Sequence, residues 1–245
     1  MRSWRRRLRL VVLVLVGMLP GFLKRPLYRS LFGYGIGEGV KIGLVLLDAR
    51  RVDLGAGTVI GHFNAVVRVG EFRTGRCVRL GPLNIVRGGD LVRFGDYVTI
   101  MRLNVLNAIP DHDCVTQPVS ELHLAQGAIV VSGHRIDFTD TVRIGRNVIL
   151  GGRNSSLWTH NRQRTAPVTI GDFCYLGSEI RIAPGSTVAP ECIVALGAVV
   201  SGDLPTPRSL VGGVPARVIR PLSPDDLELV HRKTRDDIPD GFYDA

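Results

Sequence analysis

Large rings are scarce in this chain: only 6% of its 245 residues are aromatic. A core built on Phe, Tyr and Trp is excluded, and 29 glycines favour a backbone that turns often. The four cysteines, Cys77, Cys114, Cys174 and Cys192, contain no C-x-x-C pair, so they spell neither a zinc ribbon nor a need for an oxidising compartment. Acidic residues are absent before Glu38, whereas Arg2, Arg5, Arg6, Arg7, Arg9, Lys24, Arg25 and Arg29 crowd the same stretch. Most of the net charge of +9 therefore sits at one end. A nucleic-acid groove would interleave cations with aromatics on the folded body; a basic terminus flanking an apolar run suits anionic lipid instead.

No apolar run reaches the roughly 20 residues of a spanning helix. The longest, "LRLVVLVLVGMLPGFL" at 8–23, carries Arg9 and is broken by Gly17, Pro20 and Gly21. Its basic start suits a secretion signal, but no A-x-A-like cleavage site follows. Residues 1–37 are expected to form a helical, membrane-associated segment, peripheral at the cytoplasmic face of the cell membrane.

What the chain does have is a repeat. From residue 170 it divides into sixes: "IGDFCY", "LGSEIR", "IAPGST", "VAPECI", "VALGAV", "VSGDLP". Ile170, Leu176, Ile182, Val188, Val194 and Val200 open the blocks, and five of them are followed by Gly or Ala. A helix cannot use this spacing, because six residues at about 3.6 per turn carry the apolar position to the opposite side. Strands can, since the fifth residue of one block and the first of the next lie two apart and point the same way. The same rhythm runs through Val130, Ile136, Val142 and Val148, and more weakly through Val40, Leu46 and Val52 and through Val86, Val92 and Val98. The expectation is an all-β solenoid over 38–204, with 205–245 as a tail whose short helix, N-capped by Ser223, covers the end of the stack.

The rhythm breaks twice. Ile144 to Ile170 is twenty-six residues, one coil of eighteen plus eight, so the stretch "SSLWTHNRQRTAPVTIG" is expected to extrude a loop. Val98 to Leu124 gives twenty-six again, predicting a second loop around "NAIPDHDCVTQPVSE". Cys174 and Cys192, eighteen apart, are expected to stack as small core residues.

The hexads followed by "GGVPARVIR" resemble the left-handed parallel β-helix of the hexapeptide-repeat acyltransferase superfamily, in its branch of acetyl-CoA-dependent sugar and polysaccharide O-acetyltransferases. The resemblance implies the handedness, acetyl-CoA as co-substrate with no metal, and a homotrimer with sites between subunits. It carries the CoA contacts onto Ser178, Leu196, Ser201, Gly202, Arg217 and Arg220. Ser201-Gly202 departs from the family's Thr-Lys, so one expected cation is missing. The two arginines suit phosphate chemically, by charge-assisted hydrogen bonds.

Acyl transfer to a hydroxyl needs a base, and histidine is matched to neutral pH. Of six histidines, His160 lies in the extruded loop where the family places its catalytic His. His134 is the second candidate, for the chemistry or for the acceptor. Asp137 and Asp140 can each orient a histidine, bind a sugar hydroxyl or simply form a turn at a coil corner, and Asn154 can bind the acceptor. The expected activity is direct transfer of acetyl from acetyl-CoA to a hydroxyl of a sugar, polysaccharide or lipid-linked glycan. Two alternatives stand beside it: a zinc hydratase like γ-type carbonic anhydrase, whose H-x4-H pair is absent here, and a non-catalytic scaffold.

Overall fold

The computed structural model describes residues 2–109 and 119–244, without the side chains of Arg2, Ser3 and Arg5. Cys114, His112 and most of the second predicted loop therefore lie outside the described residues. The chain winds as a three-faced prism whose stacked strands pair in parallel, matching the left-handed β-helix. The first face runs from Lys41–Ile42 through Tyr175–Leu176 and Ile193–Val194 to Ser209–Gly213, one strand beyond the hexads. The second face holds Val105–Asn107, Arg135–Asp137, Ser156–Leu157 and Arg181–Ile182; the third holds Glu121–Leu124, Val142–Ile144 and Val168–Ile170. Two longer strands, Val45–Leu54 and Asn64–Thr74, turn without a break from the second face onto the third.

The core is the column of residues the hexads predict. Ile170, Leu176, Ile182, Val188, Val194 and Val200 are all buried, as are Cys174 and Cys192 in adjacent coils. Eighteen-residue coils hold only at the two ends. Ile60 pairs with Leu80, and Leu80 with Ile100, so the middle coils take twenty residues. In the first coil the inward frame is Val45, Leu47 and Ala49, leaving Leu46 half-buried. The loop counts change accordingly. Ile144 does pair with Ile170, as expected. Val98, by contrast, lies opposite Ala128 and Phe94 pairs with Leu124, so that coil is thirty residues long.

Both ends of the chain pack against the prism. Helices α1 (Arg2–Met18) and α2 (Gly21–Phe32) dock on the first coil. Leu13 and Val16 of α1 are buried, and Gly17 lies so close to the Val45 carbonyl that any side chain there would collide with it. Lys24 is buried and donates to the Ile42 and Gly43 carbonyls at the end of the strand Lys41–Ile42, while Arg9 and Arg29 donate to the Ala49 and Ile36 carbonyls. Part of the basic cluster thus caps an open sheet edge. Burial pushes the Lys24 ammonium down from its ordinary range.

At the other end, α3 (Pro224–His231) has the expected Ser223 cap, with Asp226 completing a capping box. It does not close the stack. The tail descends along the edge between the third and first faces, where Asn147 donates to the Val230 and Arg232 carbonyls and Arg235 to those of Cys77 and Tyr97. Buried polar groups at the coil corners draw it there, because their hydrogen bonds need partners that the prism itself does not supply.

Candidate active site

The interrupted stretch becomes a small hairpin on the edge between the second and third faces. His160 and Thr165 form an antiparallel bridge, and Asn161 Oδ1 closes the tip by accepting from the Gln163 and Arg164 backbone. One coil below, Arg135–Asp137 pairs with Ser156–Leu157, and this register brings Asp137 under the start of the hairpin. His160 Nδ1 lies 3.0 Å from Asp137 Oδ2. The ring N–H is at bonding distance but off the bonding direction, and neither atom has another partner among the described residues. Such pairs commonly align fully only when substrate is present.

The carboxylate is held from its other side. Asp137 Oδ1 accepts from the Thr139 backbone N–H at 3.1 Å and from Thr159 Oγ1 at 2.9 Å, and Thr159 in turn accepts from the Asp140 N–H. Asp137 is fully buried, whereas the His160 side chain is 19% exposed. A carboxylate facing Nδ1 favours a proton there and leaves the Nε2 lone pair toward solvent. That is the arrangement of a base oriented by an acid.

The other predicted site residues do not all converge. Ser201 and Gly202 follow the strand Val199–Val200 on the His160 edge. Ser178 and Leu196 lie on the neighbouring edge, between the first and second faces. Arg217 and Arg220 stand exposed on Ala216–Pro221, which folds back on Ser209–Gly213. Arg220 is already paired with Asp226 at 2.7 Å, and this guanidinium, with Ser223, holds the Asp226 carboxyl down at about 2. Asn154 occupies a left-handed turn at φ 60 on the Ser178 edge, away from His160, where its carbonyl accepts from Arg181.

His134 is likewise apart from His160, at the opposite end of the strand Arg135–Asp137. It belongs to a buried ladder. The side-chain oxygens of Asn64, Asn84 and Asn104 each accept the backbone N–H of the next member, the last being His134, whose Nδ1 accepts from the Ser155 N–H. Burial pushes His134 from its ordinary 6.5 down to about 4. The unfolded chain therefore takes up the proton first as pH falls, and stability is lost between these two values. At about 1.4 kcal/mol per pKa unit, this is roughly 3 kcal/mol. His134→Asn, which continues the ladder without titrating, is expected to lack this loss in denaturant titrations at pH 7 and pH 4 and to keep its activity. An unchanged acid sensitivity, or an inactive variant, would show another role for His134.

Among the described residues no group of three or more His, Cys, Asp or Glu side chains is placed to hold a metal.

No protein-family model matches the chain. Over 101 residues, 40% of this chain and 49% of the other, it is 31% identical to galactoside O-acetyltransferase of Escherichia coli (strain K12). Over 176 residues, 71% of this chain and 51% of the other, it is 28% identical to a probable acetyltransferase of Mycobacterium tuberculosis. The chain spans about half the length of these curated relatives. A solved UDP-N-acetylglucosamine acyltransferase from Campylobacter jejuni has the same fold, with a TM-score of 0.58 at 18% identity over 82% of this chain and 78% of that one. The curated relatives are named acetyltransferases, and the solved structure shares the β-helical fold of this chain.

Proposed function

We propose that the chain transfers an acetyl group from acetyl-CoA to a sugar hydroxyl, with His160 as the base. The observation that carries this reading is the His160–Asp137 pair on a hairpin pushed out of an otherwise regular prism. His160 Nε2 takes the hydroxyl proton as the oxygen attacks the thioester carbonyl. The new C–O bond forms, the C–S bond breaks, and the imidazolium returns its proton to the leaving thiolate. No covalent enzyme intermediate is needed.

The residues proposed to hold CoA fit it in kind. Leu196, 71% exposed, and Gly197, where a side chain would meet nothing, offer an open apolar edge beside free backbone, suited to a pantetheine arm. Arg217 offers an exposed fork for phosphate. Arg220 would first have to leave Asp226. We therefore expect Arg217→Ala to raise KM for acetyl-CoA about tenfold with kcat little changed, and Arg220→Ala to do less. Equal effects, read in a thiol-release assay, would show that the Asp226 pair does not restrain Arg220.

Ser178 and Leu196 stand on one edge of the prism, while His160, Ser201 and Gly202 stand on the next. One chain alone presents two halves of a site. A second copy would complete it by setting its first edge against this chain's second, which favours a closed ring such as the trimer of the resemblance. Leu44, Phe63, Leu83 and Leu103 supply exposed apolar surface on the first edge for that contact.

A membrane contact is the remaining part of the proposal. No described helix is long and apolar enough to cross a bilayer. The face of α1 turned from the prism nevertheless exposes Trp4, Leu8, Val11, Leu15 and Met18, the pattern of a helix lying in an interface.

A further inference from the structure

A cavity of ≈ 530 Å³ opens on the His160 edge, between α1 and the first four coils. Four arginines face it: Arg6 and Arg9 from α1, and Arg50 and Arg68 from the two long strands where they turn the edge. Arg9 is committed, donating to the Ala49 carbonyl at 2.7 Å and to Tyr34 Oη at 3.1 Å and lying 3.5 Å from Asp48. It fastens the helix to the edge. Arg6, Arg50 and Arg68 have no carboxylate within 4.0 Å among the described residues. The other acid of the cavity, Asp90, accepts the Ser120 backbone N–H at 3.3 Å. After Asp48 is matched with Arg9, three guanidiniums face one carboxylate among the described residues, a surplus suited to a dianion.

The floor is bare backbone. A side chain at Gly70 would run into the Asp90 carbonyl, and one at Gly89 into the Phe138 ring. These two glycines let successive coils pack closely beneath the arginine forks.

The position of the cavity matters as much as its charge. Its upper rim, Ile109 and Ser120, is hydrogen-bonded to Thr139, the residue whose N–H holds Asp137. The His160 hairpin is the next coil after Thr139, so rim and base are separated by two coil spacings, about 10 Å. That distance suits a short glycan stem. Arg6 and Arg9 also share α1 with the exposed apolar face, so a ligand bound here by its anionic group could keep a lipid tail in an adjacent bilayer.

We propose that this cavity holds the diphosphate through which a lipid-borne sugar acceptor is attached, with the glycan rising along the edge to His160. This rests on the reading of His160 as an acyl-transfer base. The test uses the full chain and phosphatidylcholine vesicles doped either with a polyprenyl diphosphate or with phosphatidylglycerol at equal charge. Wild type is expected to bind the diphosphate vesicles about tenfold more tightly than the phosphatidylglycerol vesicles, with inorganic pyrophosphate competing. Arg50→Ala/Arg68→Ala, at two exposed residues, is expected to lose that preference while keeping its melting temperature, its binding to phosphatidylglycerol vesicles and its affinity for acetyl-CoA. A preference retained by the double variant, or absent from wild type, overturns the assignment. So does a soluble nucleotide-diphosphate sugar that binds more tightly than the vesicles. Absence of acetyl-CoA binding in wild type would instead overturn the acyltransferase reading, whatever the vesicles do.

Discussion

His160→Ala is expected to lower kcat for acetyl transfer by about a thousandfold, within the range a positioned base contributes. KM for acetyl-CoA should change little, because among the described residues the His160 ring makes no hydrogen bond to any residue proposed to hold CoA. The hairpin should survive, since its closure depends on Asn161 and on the main-chain bonds joining Thr159 with Ala166 and Asn161 with Arg164, not on the imidazole. A variant that retains more than about a tenth of wild-type kcat, with an unchanged melting temperature, would remove His160 from the chemistry.

Asp137→Asn has the second large effect and tests the orientation of the base. The amide can keep an oxygen toward the Thr139 N–H and the Thr159 hydroxyl, so the local network is largely preserved. Its NH2 then faces His160 Nδ1 across the present 3.0 Å contact. A donor in that place favours the tautomer with the proton on Nε2, which cannot accept one from a hydroxyl. We expect kcat to fall by about a hundredfold or more with KM for acetyl-CoA unchanged. A fall confined to KM would mean that Asp137 meets substrate directly, as a sugar-binding carboxylate.

The contrast between these residues shows how far the sequence could be read. The last coils are legible because eighteen-residue turns keep every core residue in phase, from Ile170 to Val200. Earlier coils hide their frame by using twenty residues. The extra length accompanies the buried ladder of Asn64, Asn84 and Asn104, themselves twenty apart. That spacing was a readable signal for the three asparagines, but it points next to residue 124; His134, the following rung, lies thirty residues after Asn104 because the intervening coil is longer.

His160 stood out because the extruded hairpin broke a strong rhythm. Its pairing with Asp137 depends on the register Ile136 to Leu157, a coil of twenty-one residues that no hexad count yields. Thr159 and Thr139, which hold the carboxylate, carry no sequence signature beyond their place at a turn. The roles of Lys24, Arg9 and Arg29 were hidden for a different reason. Composition records their charge, but only the docking of α1 and α2 reveals which carbonyls receive it.

The most direct test of the account is thiol release from acetyl-CoA by the full chain, measured with and without a lipid-linked glycan and paired with mass analysis of the glycan. The account predicts acceptor-dependent thiol release matched by one acetyl ester per thiol, abolished by His160→Ala while acetyl-CoA still binds. Release independent of any hydroxyl acceptor, or transfer that persists in the folded His160→Ala variant, would contradict it.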